Sequence, residues 1–588
     1  MSALLFLNQK TKLCRSIALA EFILNYHHLF YFIMEKTVVI FCKNTQDYHS
    51  FPLGTSLLEI YKSLNIKLKY QVVAARVNYK VEDLNFLIYK PKDIEFIDIG
   101  CSSGMRVYVR TLSMVLSKAV AELFPKAVIR IEHPISKGYY CQIENIDQPI
   151  TPEIISRIKS KMQEIIYRGE PIVLEEKQTE QVKELFRNGL NNTSKDALFD
   201  SLGEPYLRYY RIGDFIDYYS SILLPSTDYL GIFDLIPYYD GMLLQVPNRE
   251  NPVELEQMVL QPKMFEIFKE FLSWNKIMDL KSVGEFNNAC IDNRAFNLIK
   301  IAEALHEKKV ASIADMIHAR PDVKVILISG PSSSGKTTFS KRLSVQLMVS
   351  GLKPKTISLD NYFVDREATP KDEDGGWDFE SLYALDLDFF HEQMGQLIAG
   401  EEIELPFFNF ETGTRFFKGE KLKLEDDTYL IIEGIHALNP ELTKGIPENA
   451  LFKIYVSALT TISIDEHNWI PTADTRLLRR IIRDYRYRGY SALDTIGRWA
   501  SVRKGEEKWI FPFQENADIM FNSALIFELA VLKRHVVPIL EQVPKYCEEY
   551  TETHRLLRFL RYFVGITDRE IPPTSLLREF VGGSSFKY

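Results

Sequence analysis

The sequence predicts an α/β protein whose C-terminal half contains a mainly parallel sheet flanked by helices. Val323 to Ser329 is a β-branched apolar run typical of a buried parallel strand, and a glycine-rich octet, 330–337, follows it. Thr338 to Val349 then has apolar residues at helical spacing. Tyr429 to Glu433 is a second apolar run, and it ends in an acid at the position where sheets of this class bind ligands.

Length and composition allow several well-packed domains. The chain has 588 residues, of which 46% are hydrophobic and 26% charged, so global disorder is excluded. A net charge of −8 argues against a protein that coats nucleic acid, although a local basic patch is compatible with it. The six cysteines are far apart and form no C-x-x-C pair, which predicts reduced thiols in a cytoplasmic protein.

Residues 1–33 are interpreted as an N-terminal extension outside the fold, for which a mis-assigned start is one explanation. Ile17 to Met34 is apolar and aromatic, but Glu21 and two histidines make it too polar for a membrane span. No small-residue cleavage site follows it, and Met34 directly precedes a predicted strand. We therefore expect no membrane partner.

A small mixed domain is predicted for residues 34–100. Strands and one short helix are indicated at Thr37–Cys42, Ser56–Leu64, Gln71–Val77 and Ile94–Ile99. The segment Ser50–Ile60 resembles the TGS domain that opens threonyl-tRNA synthetases. This resemblance implies a ubiquitin-like β-grasp fold.

Residues 101–250 resemble the second additional domain of threonyl- and alanyl-tRNA synthetases, an α+β editing module. Arg110 to Pro125 is similar to its opening helix, and His133 to Tyr140 is similar to the strand and turn that follow. Asp217 to Thr227 is similar to its distal metal segment.

The four metal-binding positions of that module have lost their ligands in this chain. Where the module carries His, His, Cys and His, this sequence has Arg110, Met114, Tyr219 and Leu223. Zinc needs three or four nitrogen or sulfur ligands, so we expect no zinc and no hydrolytic editing. His133 is interpreted as a turn or packing residue, and RNA binding, substrate sensing and oligomerisation stay open for this half.

The remaining chain divides into three segments. Residues 251–321 predict a helical connector, residues 322–545 a nucleotide-binding domain and residues 546–588 a C-terminal helical tail. Within the connector, helical spacing of apolar residues is found in Leu255–Trp274, Phe296–His306 and Ile313–Ile317.

The octet after the first strand fits G-x-x-x-x-G-K-[ST], the phosphate-binding P-loop. Its backbone N–H groups and the following helix N-terminus favour bound phosphate. Lys336 would reach the β- and γ-phosphates, and the Thr337 hydroxyl would ligate Mg²⁺. The expected ATP contacts are Gly330, Pro331, Ser332, Ser333, Ser334, Gly335, Lys336, Thr337 and Thr338.

Two acids follow predicted strands. Thr356 to Phe363 reads as a short strand that ends in Asp360, which could accept a proton from a substrate hydroxyl or ligate Mg²⁺. Glu433 ends a second strand and is expected to manage the metal together with Thr337, in part through water.

An arginine-rich helix is predicted from Asp474 to Asp484. Its arginines lie at i, i+3, i+4 and i+7, on one face, while apolar residues face the core. Six arginines meet only two acids between Asp474 and Arg488, which favours a lid over phosphate rather than a solvated face. The four arginines of the face are Arg476, Arg479, Arg480 and Arg483.

In this order the motifs resemble the uridine kinase and phosphoribulokinase family over about residues 323–545. The fusion of such a domain to an N-terminal synthetase-like module resembles bacterial uridine kinase-like proteins. The resemblance implies ATP- and Mg²⁺-dependent phosphorylation of a nucleoside 5′-hydroxyl, with uridine or cytidine as acceptor. It implies Asp360 as the base, assisted by Lys336, Arg476 and Arg480. The acceptor contacts that it implies are Tyr362, Asp378, Phe408, Arg415, Arg479 and Arg483.

The segment Pro406–Arg415 departs from that family. Short uridine kinases carry Tyr and His where this chain has Phe408 and Gly413, which leaves the acceptor open. A nucleoside kinase, a kinase of another small hydroxylated acceptor, an RNA-associated NTPase and a non-catalytic nucleotide sensor are the alternatives. Joint retention of the P-loop lysine and the two acids favours a kinase. Homo-oligomerisation is also left open.

Overall fold

The computed structural model of the protein describes residues 36–189, 195–372, 375–425 and 427–587. The chain forms two compact units, one ending at Val107 and the other beginning at Tyr108. The predicted extension, 1–33, lies outside the described residues. In the part of the chain that the structure describes, no helix is long and apolar enough to cross a membrane.

The first unit is built on a mixed five-stranded sheet. Its elements are β1 (Thr37–Cys42), β2 (Asp47–Pro52), β3 (Thr55–Ser56), α1 (Leu57–Leu64), β4 (Val72–Val77), β5 (Lys80–Glu82), β6 (Leu87–Ile88) and β7 (Asp93–Asp98). The strand order is β2-β1-β7-β4-β5, with β1 and β7 parallel at the centre. Ser56 and Glu59 cap α1 reciprocally, which fixes the start of the helix. This arrangement confirms the predicted β-grasp fold.

The second unit opens with an α+β module. Its elements are α2 (Ser102–Leu123, which begins before the boundary), β8 (Val128–Ile135), β9 (Gly138–Glu144), α3 (Pro152–Tyr167), β10 (Val173–Gln178), α4 (Thr179–Asn188), α5 (Asp196–Leu202), β11 (Tyr206–Ile212), β12 (Phe215–Asp217), β13 (Asp234–Tyr238) and β14 (Gly241–Gln245). They form two antiparallel sheets, in the orders β13-β14-β9-β8 and β10-β11-β12.

Three helices follow, at α6 (Pro262–Ile277), α7 (Val283–Ile291) and α8 (Ala295–His318). The predicted helical start at Leu255 is wrong, because the backbone N–H of Glu256 instead bonds to the carbonyl of Val246. Pro262 stands in the first turn of α6, where its missing N–H costs nothing. The two apolar stretches predicted after it are parts of one continuous helix, α8.

The C-terminal half is a parallel sheet flanked by helices, which confirms the predicted fold class. Its elements are β15 (Val325–Ser329), α9 (Lys336–Val349), β16 (Lys353–Ser358), α10 (Leu387–Ile398), β17 (Ile403–Asn409), β18 (Thr414–Leu422), β19 (Thr428–Glu433), β20 (Leu451–Ser457), α11 (Thr472–Tyr487), α12 (Ala492–Trp509), β21 (Ile519–Asn522), α13 (Glu528–Leu540), α14 (Tyr550–Leu560) and α15 (Arg578–Val581). The order β16-β19-β15-β20-β21 is parallel throughout. Its central strand, β15, is buried along its whole length.

The α+β module and the parallel-sheet domain share one interior. A single hydrophobic core includes Phe199 and Tyr209 from one side and Leu478 and Leu560 from the other. A buried ionic network joins the same two parts.

In that network the ammonium of Lys195 lies 2.8 Å from Asp217 and 3.0 Å from Asp465. His467 Nδ1 lies 2.6 Å from the second oxygen of Asp217. Asp465 and His467 belong to the loop between β20 and α11, so the module is tied to the loop that leads into the arginine-rich helix.

Candidate active site

The loop between β15 and α9 has the backbone of a phosphate-binding cradle. Ser333 and Gly335 have φ values of +59° and +85°, which turn successive N–H groups inward. A Cβ on Gly330 would lie only 2.0 Å from the carbonyl oxygen of Val456, so this position requires glycine. The hydroxyls of Ser333 and Ser334 are buried without a hydrogen-bond partner among the described residues. The loop therefore offers unused donors to a ligand.

Lys336, the first residue of α9, lies at the centre of this site. Its ammonium is buried and donates to the carbonyl oxygen of Pro331 at 3.1 Å. Burial lowers the pKa of Lys336, while the nearby carboxylates of Glu433 and Asp360 oppose that shift. A buried cation of this kind is strongly attracted to a phosphate group.

Thr337 and Glu433, the predicted metal residues, are brought together. The Thr337 hydroxyl lies 3.4 Å from Glu433 Oε1, and the Ser358 hydroxyl donates to the same oxygen at 3.0 Å. Burial, together with the charge of Asp360, raises the pKa of Glu433 to about 7. Hydroxyl and carboxylate oxygens are the ligands that Mg²⁺ prefers, so these residues fit that ion.

Asp360 lies at the carboxyl edge of the sheet, in a single 3₁₀ turn directly after β16. It is half-buried, and its negative charge acts on Glu433, Lys336 and Glu380. The structure thus places the proposed base beside the phosphate loop. Asp360 follows a strand, as predicted, but the strand in the structure ends at Ser358, two residues earlier than the sequence predicts.

Two arginines of α11 support the loop from inside the protein. The guanidinium of Arg476 forms a buried ion pair with Glu506 and lies 3.2 Å from the carbonyl of Ser332. Glu506 in turn accepts from the backbone N–H of Ser332 at 3.2 Å. Both charged groups are almost fully buried. This geometry makes Arg476 a positioning residue for the loop.

Arg479 has a similar place. It pairs with Glu528 through Nε and Nη2 at 2.5 and 2.7 Å, and its Nη1 lies 3.4 Å from the carbonyl of Ser333. Its side chain is fully buried. Arg479 was predicted as an acceptor contact, but the structure turns it toward the underside of the loop.

Arg479→Met should destabilise the second unit by about 3–5 kcal/mol, because it leaves the carboxylate of Glu528 buried without its partner. All five tryptophans lie in this unit, so the urea midpoint followed by tryptophan fluorescence reports on it alone. Arg208→Met, which removes the exposed pair with Glu176, should cost less than about 1 kcal/mol. Equal costs at the two positions would contradict a structural ion pair at Arg479.

The other arginines of the predicted lid lie on the open side of the loop. Arg480 donates to the Ser332 hydroxyl at 2.8 Å, and Arg483 pairs with Asp484 at 3.0 Å. The charge of Arg483 and burial lower the pKa of Arg488 to about 10, against the pull of Asp484 and Asp360. Arg480, Arg483 and Arg488 therefore form the cationic wall of the site.

Aromatic side chains border the predicted acceptor pocket. The Phe408 ring lies 5.6 Å from that of Phe363 and 5.2 Å from that of Phe410. Arg415 pairs with Asp386 at 2.8 Å. Tyr362 is fully buried, and its hydroxyl donates to Gln393 at 2.7 Å, so it packs beneath the pocket in this structure.

The backbone conformation and the surroundings of position 413 both favour glycine there. Its φ is +74°, and a Cβ there would lie 2.7 Å from Arg366 Nε. Arg366 also donates to the carbonyl of Phe410 at 2.8 Å. Arg366 therefore covers the position where the resemblance leads one to expect a histidine.

The segment Trp377–Glu380 contributes a residue that the sequence reading missed. Asp378, one of the predicted acceptor contacts, donates its backbone N–H to the carbonyl of Pro370. Glu380 instead lies in the field of Arg480 and Asp360, and burial raises its pKa to about 7. Its Oε2 is buried without a hydrogen-bond partner among the described residues. The only sequence signal was its place beside Asp378.

The four positions of the α+β module that correspond to metal ligands in the editing module mostly hold buried side chains. Met114, Tyr219 and Leu223 are buried. Burial lowers the pKa of His133 to about 3, and its ring packs edge-on against Phe268 at 5.1 Å. The described cysteines are all free thiols.

The parallel sheet, the glycine loop and the convergent charges define a nucleotide-binding domain of the P-loop class. Residues 325–526 match the model of the phosphoribulokinase / uridine kinase family.

Each of the individual relatives resembles only one part of the chain. A threonine–tRNA ligase of Rubrobacter xylanophilus is 30% identical over 180 residues, which are 31% of this chain and 28% of that protein. A uridine kinase of Halobacterium salinarum is 28% identical over 195 residues, 33% of this chain and 77% of that protein. The chain thus spans little more than a quarter of the length of the synthetases that its N-terminal region matches.

Solved structures also resemble part of the chain. One, described as a possible uridine kinase from Bacillus stearothermophilus, is 24% identical and covers 34% of this chain and 89% of its own, with a TM-score of 0.23.

Proposed function

We propose that the protein is an ATP- and Mg²⁺-dependent kinase that phosphorylates the 5′-hydroxyl of a nucleoside, with uridine or cytidine as the first candidates. The observation that supports this most is the convergence of Lys336, Glu433 and Asp360 at one edge of the parallel sheet. A nucleotide sensor needs no base for an acceptor hydroxyl beside the phosphates. An enzyme that activates an acceptor hydroxyl does.

In this proposal Asp360 orients the acceptor hydroxyl and takes its proton as the γ-phosphoryl group moves in line. Lys336 and Arg480 stabilise the negative charge spread over the transferring group. Thr337 and Glu433 would hold Mg²⁺, which neutralises phosphate charge when it is bound. Arg476 and Arg479 keep the loop in shape.

The acceptor side has an apolar and an ionic half. Phe408 and Phe410 offer ring faces suited to a planar base, and Glu380 offers a carboxylate suited to sugar hydroxyls. With Arg366 over Gly413, the pocket differs from the one that the resemblance implies. The base preference is therefore part of the proposal.

The test is an assay of ATP consumption with a panel of nucleosides and sugars, with and without RNA, followed by mass spectrometry of the products. Acceptor-dependent formation of a nucleoside monophosphate supports the proposal. A phosphorylated sugar would redirect it to another small hydroxylated acceptor, and RNA-stimulated hydrolysis without transfer would overturn it. We further propose a cytoplasmic location, and RNA contact or self-association of the N-terminal modules would be tested by the same RNA arm and by sedimentation.

Glu380→Gln should raise the acceptor KM about tenfold at pH 8, because a carboxylate accepts hydroxyl hydrogen bonds more strongly than a neutral amide. The pKa of Glu380 is raised to about 7, so the wild-type side chain is neutral well below that pH and charged above it. The wild-type acceptor KM should accordingly fall as the pH rises from 6 to 8. The measurement is the initial rate against acceptor concentration at saturating Mg·ATP.

The variant should lose this pH dependence. Glu411→Gln removes an exposed acid from the neighbouring loop and should leave the profile unchanged. An identical pH profile in the Glu380 variant and the wild type would contradict the role.

A further inference from the structure

The C-terminal segment places a carboxylate on the first turn of α9. Oε2 of Glu579, in α15, accepts from the backbone N–H of Thr338 at 3.3 Å and from its hydroxyl at 2.5 Å. The N–H groups of a first helical turn have no partner inside their own helix. In a P-loop they are the groups presented to nucleotide phosphates. Glu579 thus stands where an anionic ligand would bind.

The fold, rather than a loose terminus, puts this carboxylate in place. Leu576, Leu577 and Phe580 are fully buried, and Leu576 Cδ2 would lie 3.0 Å from a Cβ on Gly335. The guanidinium of Arg578 donates to two carbonyls of the preceding loop, at 2.7 and 2.8 Å. The segment is therefore packed against the phosphate loop, and this packing places the Glu579 carboxylate beside Thr338.

The charge of Glu579 acts on two other residues of the site. It favours the charged form of Lys336 and the neutral form of Glu433. Lys336 meanwhile donates to Pro331 of its own loop at 3.1 Å. Two groups that the loop would offer to phosphate are thus bonded to oxygens of the chain itself.

We propose that Glu579 competes with the phosphates of the nucleotide for the Thr338 end of the loop, and so sets the affinity of the protein for ATP. This inference rests on the nucleotide site of the proposed function. Binding requires the carboxylate to rotate away from Thr338, because phosphate and carboxylate repel each other at that distance. The buried apolar residues of the segment keep their places.

Removing this charge should therefore tighten nucleotide binding. Glu579→Gln is expected to lower the Kd for Mg·ATP by a factor on the order of ten, the scale of one anion at a helix N-terminus. The probe is a fluorescent ATP analogue titrated in equilibrium with the full-length protein, so that turnover is not needed. Glu570→Gln is the matched control, since it removes one exposed acid from the same segment and should leave the Kd unchanged.

A second variant guards against a folding defect. Glu579→Asp keeps the charge but shortens the side chain, which withdraws the carboxylate from Thr338, and it should also tighten binding by a smaller factor. An unchanged or weaker affinity in folded Glu579→Gln overturns the inference. Failure of the proposed function gives different results. If the wild type and every variant bind no nucleotide, both the proposed function and this inference are wrong. If they bind nucleotide but show no acceptor-dependent transfer, only the proposed function is wrong.

Discussion

Lys336→Ala should lower kcat by about 10²-fold or more while the protein stays folded. The ammonium of Lys336 is buried in the loop near the acids at the sheet edge, so the substitution removes a preorganised charge from the site. Charge stabilisation at the transferring phosphoryl group depends on such a preorganised cation. The measurement is product formation at saturating ATP and acceptor.

Lys355→Ala provides the control, because it removes an exposed lysine from β16 in the same domain. Its kcat should equal that of the wild type. Unfolding midpoints by tryptophan fluorescence would establish that both variants are folded. Near wild-type turnover in folded Lys336→Ala would remove the loop from the mechanism.

Asp360→Asn should reduce phosphoryl transfer by about 10²- to 10⁴-fold and leave ATP binding nearly intact. The amide keeps the size of the side chain but cannot accept the proton of the acceptor hydroxyl. Thr337 and Glu433, which lie 3.4 Å apart in the wild type, are kept in that variant, and loss of the Asp360 charge favours the charged form of Glu433. Calorimetry with Mg·ATP and mass spectrometry of the product measure the two quantities separately.

Asp388→Asn changes an exposed acid in the first turn of α10 and should alter neither quantity. Should Asp360→Asn abolish ATP binding as well, Asp360 would be a metal-binding or structural residue. The assignment of a base would then be wrong.

The chemistry near the loop could be predicted from the sequence because its signals are local. The order of strand, glycine octet and helix lies within one continuous stretch, and an acid at a strand end reaches the ligand edge through sheet geometry alone. The predicted strand at Thr37–Cys42 has the observed bounds for the same reason. Alternation and composition are enough there.

The arginine helix shows where such reasoning ends. Periodicity groups Arg476, Arg479, Arg480 and Arg483 on one face but does not say what packs against that face. Two of them turn inward because acids far along the chain, Glu506 and Glu528, meet them there. Partners that only tertiary packing brings close leave no local pattern to read.

The roles of Glu380 in the acceptor pocket and of Glu579 in the C-terminal segment could not be predicted from the sequence for the same reason. Glu380 is two residues from Asp378, and only the fold decides which of the two faces Arg480. Glu579 stands 241 positions from its partner, Thr338, and its neighbours in the sequence carry no motif. Their placement is a property of the packed core.

The buried network of Lys195, Asp217, Asp465 and His467 also makes the stability of the parallel-sheet domain depend on the α+β module. A fragment that began at residue 322 would retain the whole parallel sheet, yet Asp465 and His467 would lose Lys195 and Asp217. Uncompensated buried charges of this kind unfold what surrounds them. A genetic screen for lost phosphoryl transfer should therefore return substitutions in the synthetase-like module, far from any phosphate, as readily as substitutions in the loop itself.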